Sequence, residues 1–169
     1  YAKKFSIPVY NIKRLNNKIL TSIEKISPDL IISLSATQVF NQQLINLPRK
    51  GCINLHSAPL PHYRGLFPAF WQFLNGEREI GITVHFVNEQ IDAGDILLQD
   101  KVKVFPDDSL SSLLYRVKTA GIQLLLKALE MIESNKIITI PNDITKGSYY
   151  GLPKREDIKM FFSKGKKFF

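Results

Sequence analysis

The stretch Gly51-Cys52-Ile53-Asn54-Leu55-His56-Ser57-Ala58-Pro59-Leu60-Pro61-His62-Tyr63-Arg64-Gly65 decides how this chain is read. A short apolar strand ends in Asn-x-His and then meets two prolines, Pro59 and Pro61, and a glycine that forbid regular structure. Residues two apart on a strand share a face, so Asn54 and His56 project together where the chain leaves the sheet. An amide that can hydrogen-bond an oxyanion then stands beside an imidazole that can carry a proton near neutral pH. Downstream, Gln90-Ile91-Asp92-Ala93-Gly94-Asp95-Ile96-Leu97 supplies a carboxylate, Asp92, in a glycine-containing loop before another strand. Amide, imidazole and carboxylate together suit acyl transfer.

Working outward, Leu30-Ile31-Ile32-Ser33-Leu34 reads as a buried parallel strand. Asn16 or Asn17 caps a helix through Ile26, and a short strand is expected around Pro8-Val9-Tyr10. Val39 to Ile45 reads as a short helix. Pro68 to Leu74 is a helix with an aromatic face, closed by Asn75-Gly76. Ile80–Asn88 and Asp95–Val104 are strands. Leu110 to Glu133 is the longest helix, with leucines and Val117 at helical spacing around Gly121. Ile137–Ile140 is a short strand, and Glu156–Ser163 a last helix. Strands alternating with helices imply an α/β sheet with crossover connections.

The 169 residues are one domain by length, with 44% hydrophobic and 22% charged residues. No apolar run approaches a membrane span, so no membrane partner is expected. The single cysteine, Cys52, excludes an internal disulfide framework and fits a reducing, cytoplasmic setting. Three histidines and one cysteine give no ligand cluster, so no metal is expected. Six basic residues (Lys154, Arg155, Lys159, Lys164, Lys166, Lys167) against Glu156 and Asp157 place half of the net charge of +8 on the last sixteen residues. That surface is a solvated helix face and tail, or a site for an anionic substrate, RNA or a membrane surface.

Three segments, in this order, carry a resemblance: Asn54-x-His56-x-x-x-Leu60-Pro61-x-Tyr63-Arg64-Gly65, Gly81-Ile82-Thr83-Val84-His85, and Ile91-Asp92-Ala93-Gly94-Asp95-Ile96. Together they resemble the catalytic domain of the 10-formyltetrahydrofolate-dependent formyltransferases, from about Pro28 to Val104 and more loosely to the end. The resemblance implies a Rossmann-like α/β fold, a mostly parallel sheet flanked by helices, with the site at the carboxyl ends of its strands. Residues 1–141 are read as the catalytic domain, and 142–169 as a C-terminal helix and basic tail packed on it. Family members usually begin with further strands, so the chain is read as amino-terminally truncated.

By the same resemblance Asn54 stabilises the oxyanion, His56 moves the proton, and Asp92 orients His56 and raises its pKa. His85, on the face of Thr83, is a secondary candidate. The pterin of 10-formyltetrahydrofolate, the formyl donor, is expected between Gln38-Val39-Phe40 and Asn88-Glu89-Gln90-Ile91-Asp92. The acceptor is read as a small-molecule amine, foremost a nucleotide-linked amino sugar. Gly121 replaces a glutamate that contacts the acceptor in glycinamide ribonucleotide transferases, and no β-barrel like that of methionyl-tRNA transferases follows Pro141, so nucleic acid is disfavoured. Those two acceptors remain alternatives, as do a formyltetrahydrofolate hydrolase and an inactive folate- or RNA-binding fragment. A homodimer is compatible with the family.

Overall fold

The computed structural model describes residues 2–169; Tyr1 lies outside them. Ala2–Phe5 forms a single 3-10 turn. Helix α1 (Asn17–Ile26) starts where the Asn16 side chain accepts from Ile19 N, and ends on Ser27 in the left-handed region. Strand β1 (Ile31–Leu34) and helix α2 (Gln42–Ile45) lead into β2 (Cys52–His56). After the proline segment come β3 (Arg64–Gly65), α3 (Pro68–Asn75), β4 (Glu79–Phe86) and β5 (Ile96–Lys103). Helix α4 (Leu110–Glu133), β6 (Tyr149–Tyr150) and α5 (Arg155–Ser163) complete the chain.

The main sheet has the order β1-β2-β4-β5. Helices flank it, as an α/β fold requires, but strand direction departs from expectation. Only β1 and β2 run parallel; β2/β4 and β4/β5 are antiparallel. A parallel return needs a crossover long enough to bring the chain back to the starting end of the sheet. Helix α3 has eight residues, about 12 Å of rise, so β4 starts beside the end of β2. Residues 87–95 then turn β4 directly into β5, a hairpin connection.

Two further expectations shift. Pro8–Tyr10 pairs with no strand among the described residues, and Pro8 has no N–H to give a ladder. Strand β1 is an edge: it pairs with β2 on one side, and Ile32 and Leu34 stand 40% and 58% exposed. Ile140 makes only an isolated antiparallel bridge to Ile96.

Alternation along the strands divides the sheet into two faces. Ile53, Ile80, Ile82 and Val84 face α4, whose Leu113, Val117, Leu124 and Ala128 bury against them. Gly121 lets α4 approach, because a Cβ there would sit 3.0 Å from Leu55 Cδ2. This glycine is buried by packing against the sheet. Phe70 and Phe73 of α3 lock onto the fully buried Phe161 of α5, with ring centroids 5.3 and 5.8 Å apart. The basic tail is docked as well: carbonyls of Lys167 and Phe168 accept from the first N–H groups of α4, and Lys166 Nζ lies 3.9 Å from the Phe73 ring centroid. No helix among the described residues is long and apolar enough to cross a membrane.

Candidate active site

The opposite face carries the polar residues. In the β2/β4 register Asn54 lies across from His85, and His56 across from Thr83. The β4/β5 register shifts here, with Leu97 of β5 the extra residue between the Val84–Leu98 and His85–Ile96 pairs. Asp92 reaches His85 from the loop after β4, its backbone held at φ +49°.

The resulting cluster is compact. Asp92 Oδ1 is 3.6 Å from His56 Nδ1 and 3.6 Å from His85 Nε2, and Oδ2 accepts from Gly65 N at 2.9 Å. Asn54 Nδ2 donates to His85 Nε2 at 3.2 Å and to Asp92 Oδ1 at 3.4 Å. His85 donates from Nδ1 to the Phe86 carbonyl at 2.7 Å, which leaves its Nε2 as the acceptor that Asn54 finds. His56 donates from Nε2 to the Tyr63 carbonyl at 3.0 Å. Its Nδ1 therefore carries the free lone pair, beside the carboxylate.

Burial is the strongest influence on His56 and lowers its pKa below the ordinary 6.5; the Asp92 charge and the Tyr63 carbonyl oppose it and do not prevail. Asp92 acts on His56 in the expected direction, raising its value, but removal of the ring from water outweighs it. For Asp92, burial pushes upward, but His85, His56 and the Gly65 N–H together hold the carboxyl below its usual range. A neutral imidazole with an open Nδ1 beside an ionised carboxylate is a proton acceptor whose charged form is stabilised as it appears.

The cluster sits in a cleft of about 760 Å³. Of the residues named from sequence, Asn54, His56, Asp92, Gln38, Val39, Phe40, Asn88, Gln90 and Ile91 line it; Glu89 is exposed outside its wall. The Gln38 side chain is already engaged, accepting from Leu15 N and donating to the Lys13 carbonyl. It fixes the preceding segment, while its neighbours Val39 and Phe40 join the wall of the cleft that Ile91 also lines.

Several lining or supporting residues take roles that the sequence reading did not assign. Thr83 Oγ1 donates to the Ala58 carbonyl and accepts from Leu60 N, pinning the proline segment over the sheet. Arg64 Nε binds the Ile91 carbonyl and ties that segment to the Asp92 loop. Strand β3 pairs with β6 and brings Tyr149 to the cleft, with Lys118 and Leu152 nearby in its wall. Nothing local predicts this pairing between segments more than eighty residues apart. Gly121 does not itself line the cleft; it packs α4 against Leu55 and Ile82. Among the described residues no cluster of His, Cys, Asp or Glu is suited to a metal ion.

The chain matches the family described as formyl transferase over residues 3–129. It is 34% identical to the methionyl-tRNA formyltransferase of Syntrophus aciditrophicus (strain SB) over 157 residues, 92% of this chain and 50% of that protein. The corresponding enzyme of Kosmotoga olearia is 32% identical over 99% of this chain and 55% of its own length. This chain thus spans about half the length of the curated relatives it matches. Among solved structures, a sugar N-formyltransferase from Shewanella sp FDAARGOS_354 superposes with a TM-score of 0.73 at 30% identity, covering 89% of this chain and 59% of that one. The formyltransferase PseJ from Anoxybacillus kamchatkensis, solved with UDP-4,6-dideoxy-4-formamido-L-AltNAc and tetrahydrofolate, gives 0.71 at 26% identity over 94% and 78%. With the Asn54, His56 and Asp92 segments all inside the matched residues, the chain belongs to the formyl transferase family.

Proposed function

We propose that this chain transfers a formyl group from 10-formyltetrahydrofolate to an amine. The observation that carries the reading is the convergence of Asn54, His56 and Asp92 at one cleft, with a lone pair free on His56 Nδ1. The cleft volume lies within the range of small-molecule sites, and Val39, Phe40 and Ile91 provide apolar contacts for a flat ring. The donor contributes an electrophilic formyl carbon. His56 takes the proton of the attacking amine at Nδ1, and Asp92 stabilises the imidazolium that forms. Asn54 turns the N–H of its long 3.4 Å contact with Asp92 toward the oxygen on which negative charge develops. His56 then returns its proton to the departing nitrogen.

For the acceptor, a nucleotide-linked amino sugar is favoured by the sugar N-formyltransferases among the solved structures and by the aromatic and cationic cleft residues Tyr149 and Lys118. Methionyl-tRNA is the second reading, favoured by the curated relatives and by the net charge of +8. Calorimetric titration with a non-hydrolysable 10-formyltetrahydrofolate analogue tests the donor. Micromolar binding, followed by formyl transfer to a nucleotide-linked amino sugar but not to charged initiator tRNA, is the expected result. Donor binding with transfer only to tRNA selects the second reading. Release of formate without any amine indicates a hydrolase, and no binding overturns the proposal.

A further inference from the structure

We infer that Asn142 is a positioning residue for Asp92, holding the loop that presents the carboxylate to His56 and His85. Its amide group is almost fully buried, 9% exposed, and Nδ2 donates to two main-chain carbonyls, those of Asp92 and Gly94, each at 3.1 Å. These two carbonyls flank Ala93, so a single NH2 group spans the turn. The other end of the same amide, Oδ1, is the buried side-chain oxygen that finds no partner among the described residues. A buried acceptor without a partner is a cost that an apolar residue would avoid. The fold nevertheless carries an amide here, and its NH2 end alone makes use of it.

The loop needs such a restraint. Asp92 adopts φ +49°, in the left-handed region that aspartate enters more readily than most L-residues but that remains uncommon outside glycine. On one side the loop is jammed against β4, since a Cβ on Gly94 would overlap the Phe86 carbonyl oxygen. On the other side Asn142 is fixed by the bridge two residues earlier, where Ile140 and Ile96 exchange both backbone hydrogen bonds at 2.9 Å. The start of β5 therefore registers Asn142, and Asn142 registers Asp92. From this backbone the carboxylate meets Gly65 N, His56 and His85. Nothing in the sequence around Pro141-Asn142-Asp143 announces the role.

The inference rests on the formyl-transfer reading for its kinetic consequence, but the geometry it concerns is read without turnover. The variants are Asn142→Ala and the near-isosteric, uncharged Asn142→Leu. Leu124→Ala on α4, buried and away from the cleft wall, serves as a control for general destabilisation. The His56 titration is set first by burial and then by Asp92, the Tyr63 carbonyl, His85 and Arg64, and of these side chains Asp92 is the one whose backbone Asn142 holds directly. Ring NMR of His56 is expected to show its midpoint moving to lower pH in both, as the carboxylate withdraws, with no movement in Leu124→Ala. In turnover, kcat is expected to fall roughly tenfold to a hundredfold with the donor KM little changed.

A His56 midpoint that stays in place in the Asn142 variants overturns the inference, whatever their thermal stability. Should the alanine variant fail to fold, the leucine variant decides. Should the unsubstituted chain transfer no formyl group, the preceding proposal fails, while the His56 midpoint still settles the role of Asn142.

Discussion

His56 Nδ1 lies 3.6 Å from Asp92 Oδ1, while Nε2 of the same ring is committed to the Tyr63 carbonyl 3.0 Å away. The two contacts assign opposite duties to the two nitrogens. Nε2 anchors the ring, so only Nδ1 is left to exchange a proton, and it does so next to a negative charge. Burial keeps the resting imidazole neutral, and the carboxylate stabilises the cation only once a proton arrives.

A pH profile follows from that division of labour. A base works only when deprotonated, so kcat/KM should rise with pH through a midpoint below the ordinary histidine value of 6.5 and reach a plateau by neutrality. Asp92→Asn removes the charge that raises the His56 pKa. The acid midpoint should therefore move lower still, while kcat falls by roughly 100-fold or more as the imidazolium loses its partner. An unchanged midpoint in Asp92→Asn would show that the carboxylate is not coupled to His56. Initial rates of formyl transfer between pH 5 and 8 measure both quantities.

Asn54 is expected to act on kcat. Its amide does not titrate and stands within the cluster of His85 and Asp92, so Asn54→Ala should lower kcat about 100–1000-fold, the usual loss for one oxyanion donor. Affinity for the donor analogue should be retained. Because His85 Nε2 receives the second Asn54 N–H, Asn54→Asp tests the same point with an isosteric acceptor and should be no better than alanine. Calorimetry beside single-turnover rates separates the two effects; weakened binding with normal kcat would place Asn54 in the donor pocket instead.

Gly65 is the junction of site and scaffold. It sits at φ +99° in the β3/β6 pair, gives its N–H to Asp92 Oδ2, and has the Tyr149 ring over its α-carbon, 2.9 Å from where a Cβ would lie. An alanine there would also overlap the Tyr150 carbonyl oxygen. Gly65→Ala should therefore cost about 1–3 kcal/mol of stability and depress kcat together with it, because the same shift moves the Asp92 contact. Thermal denaturation with parallel kinetics checks the pairing of losses. A stable, fully active variant would mean that β6 is not needed to hold the site.

Much of this arrangement was legible in the chain because it is local. Helices α1, α3 and α4 announce themselves through Asn16, Asn75-Gly76 and the leucine spacing, and period-two alternation alone puts Asn54 with His56. What escaped is non-local. The direction of β4 depends on how far an eight-residue helix carries the chain, and the edge position of β1 on which neighbours it has; neither leaves a mark in Leu30–Leu34. The support of Asp92 by Gly65 and Asn142 joins residues 27 and 50 positions away. His85 was visible only as a residue on the right face, since its partner Asn54 is set by the register of β4 on β2.

Stability should fall on the acid side in two stages, and the sign can be worked out group by group. The folded-state pKa of His56 lies below 6.5, so between those two values the unfolded chain binds more protons than the folded one. The contribution of His56 is complete above 6.5 and is lost as pH falls through the lower, folded value. Asp92 and Asp108 are held below the ordinary 3.8. Burial opposes this in both, but it is outweighed at Asp92 by the histidines and Gly65 N–H, and at Asp108 by Phe105 N–H, Arg116 and Ser112. Their contributions are complete above 3.8 and disappear only below it. The melting temperature should thus decline first below pH 6.5 and again below pH 4. His56→Gln should flatten the first decline and, by removing one of the groups that depress Asp92, also soften the second, whereas Asp108→Asn should weaken the second and leave the first. Melting curves from pH 7 to 3 distinguish the stages; a first decline that persists undiminished in His56→Gln would show that the buried imidazole is not the group being charged.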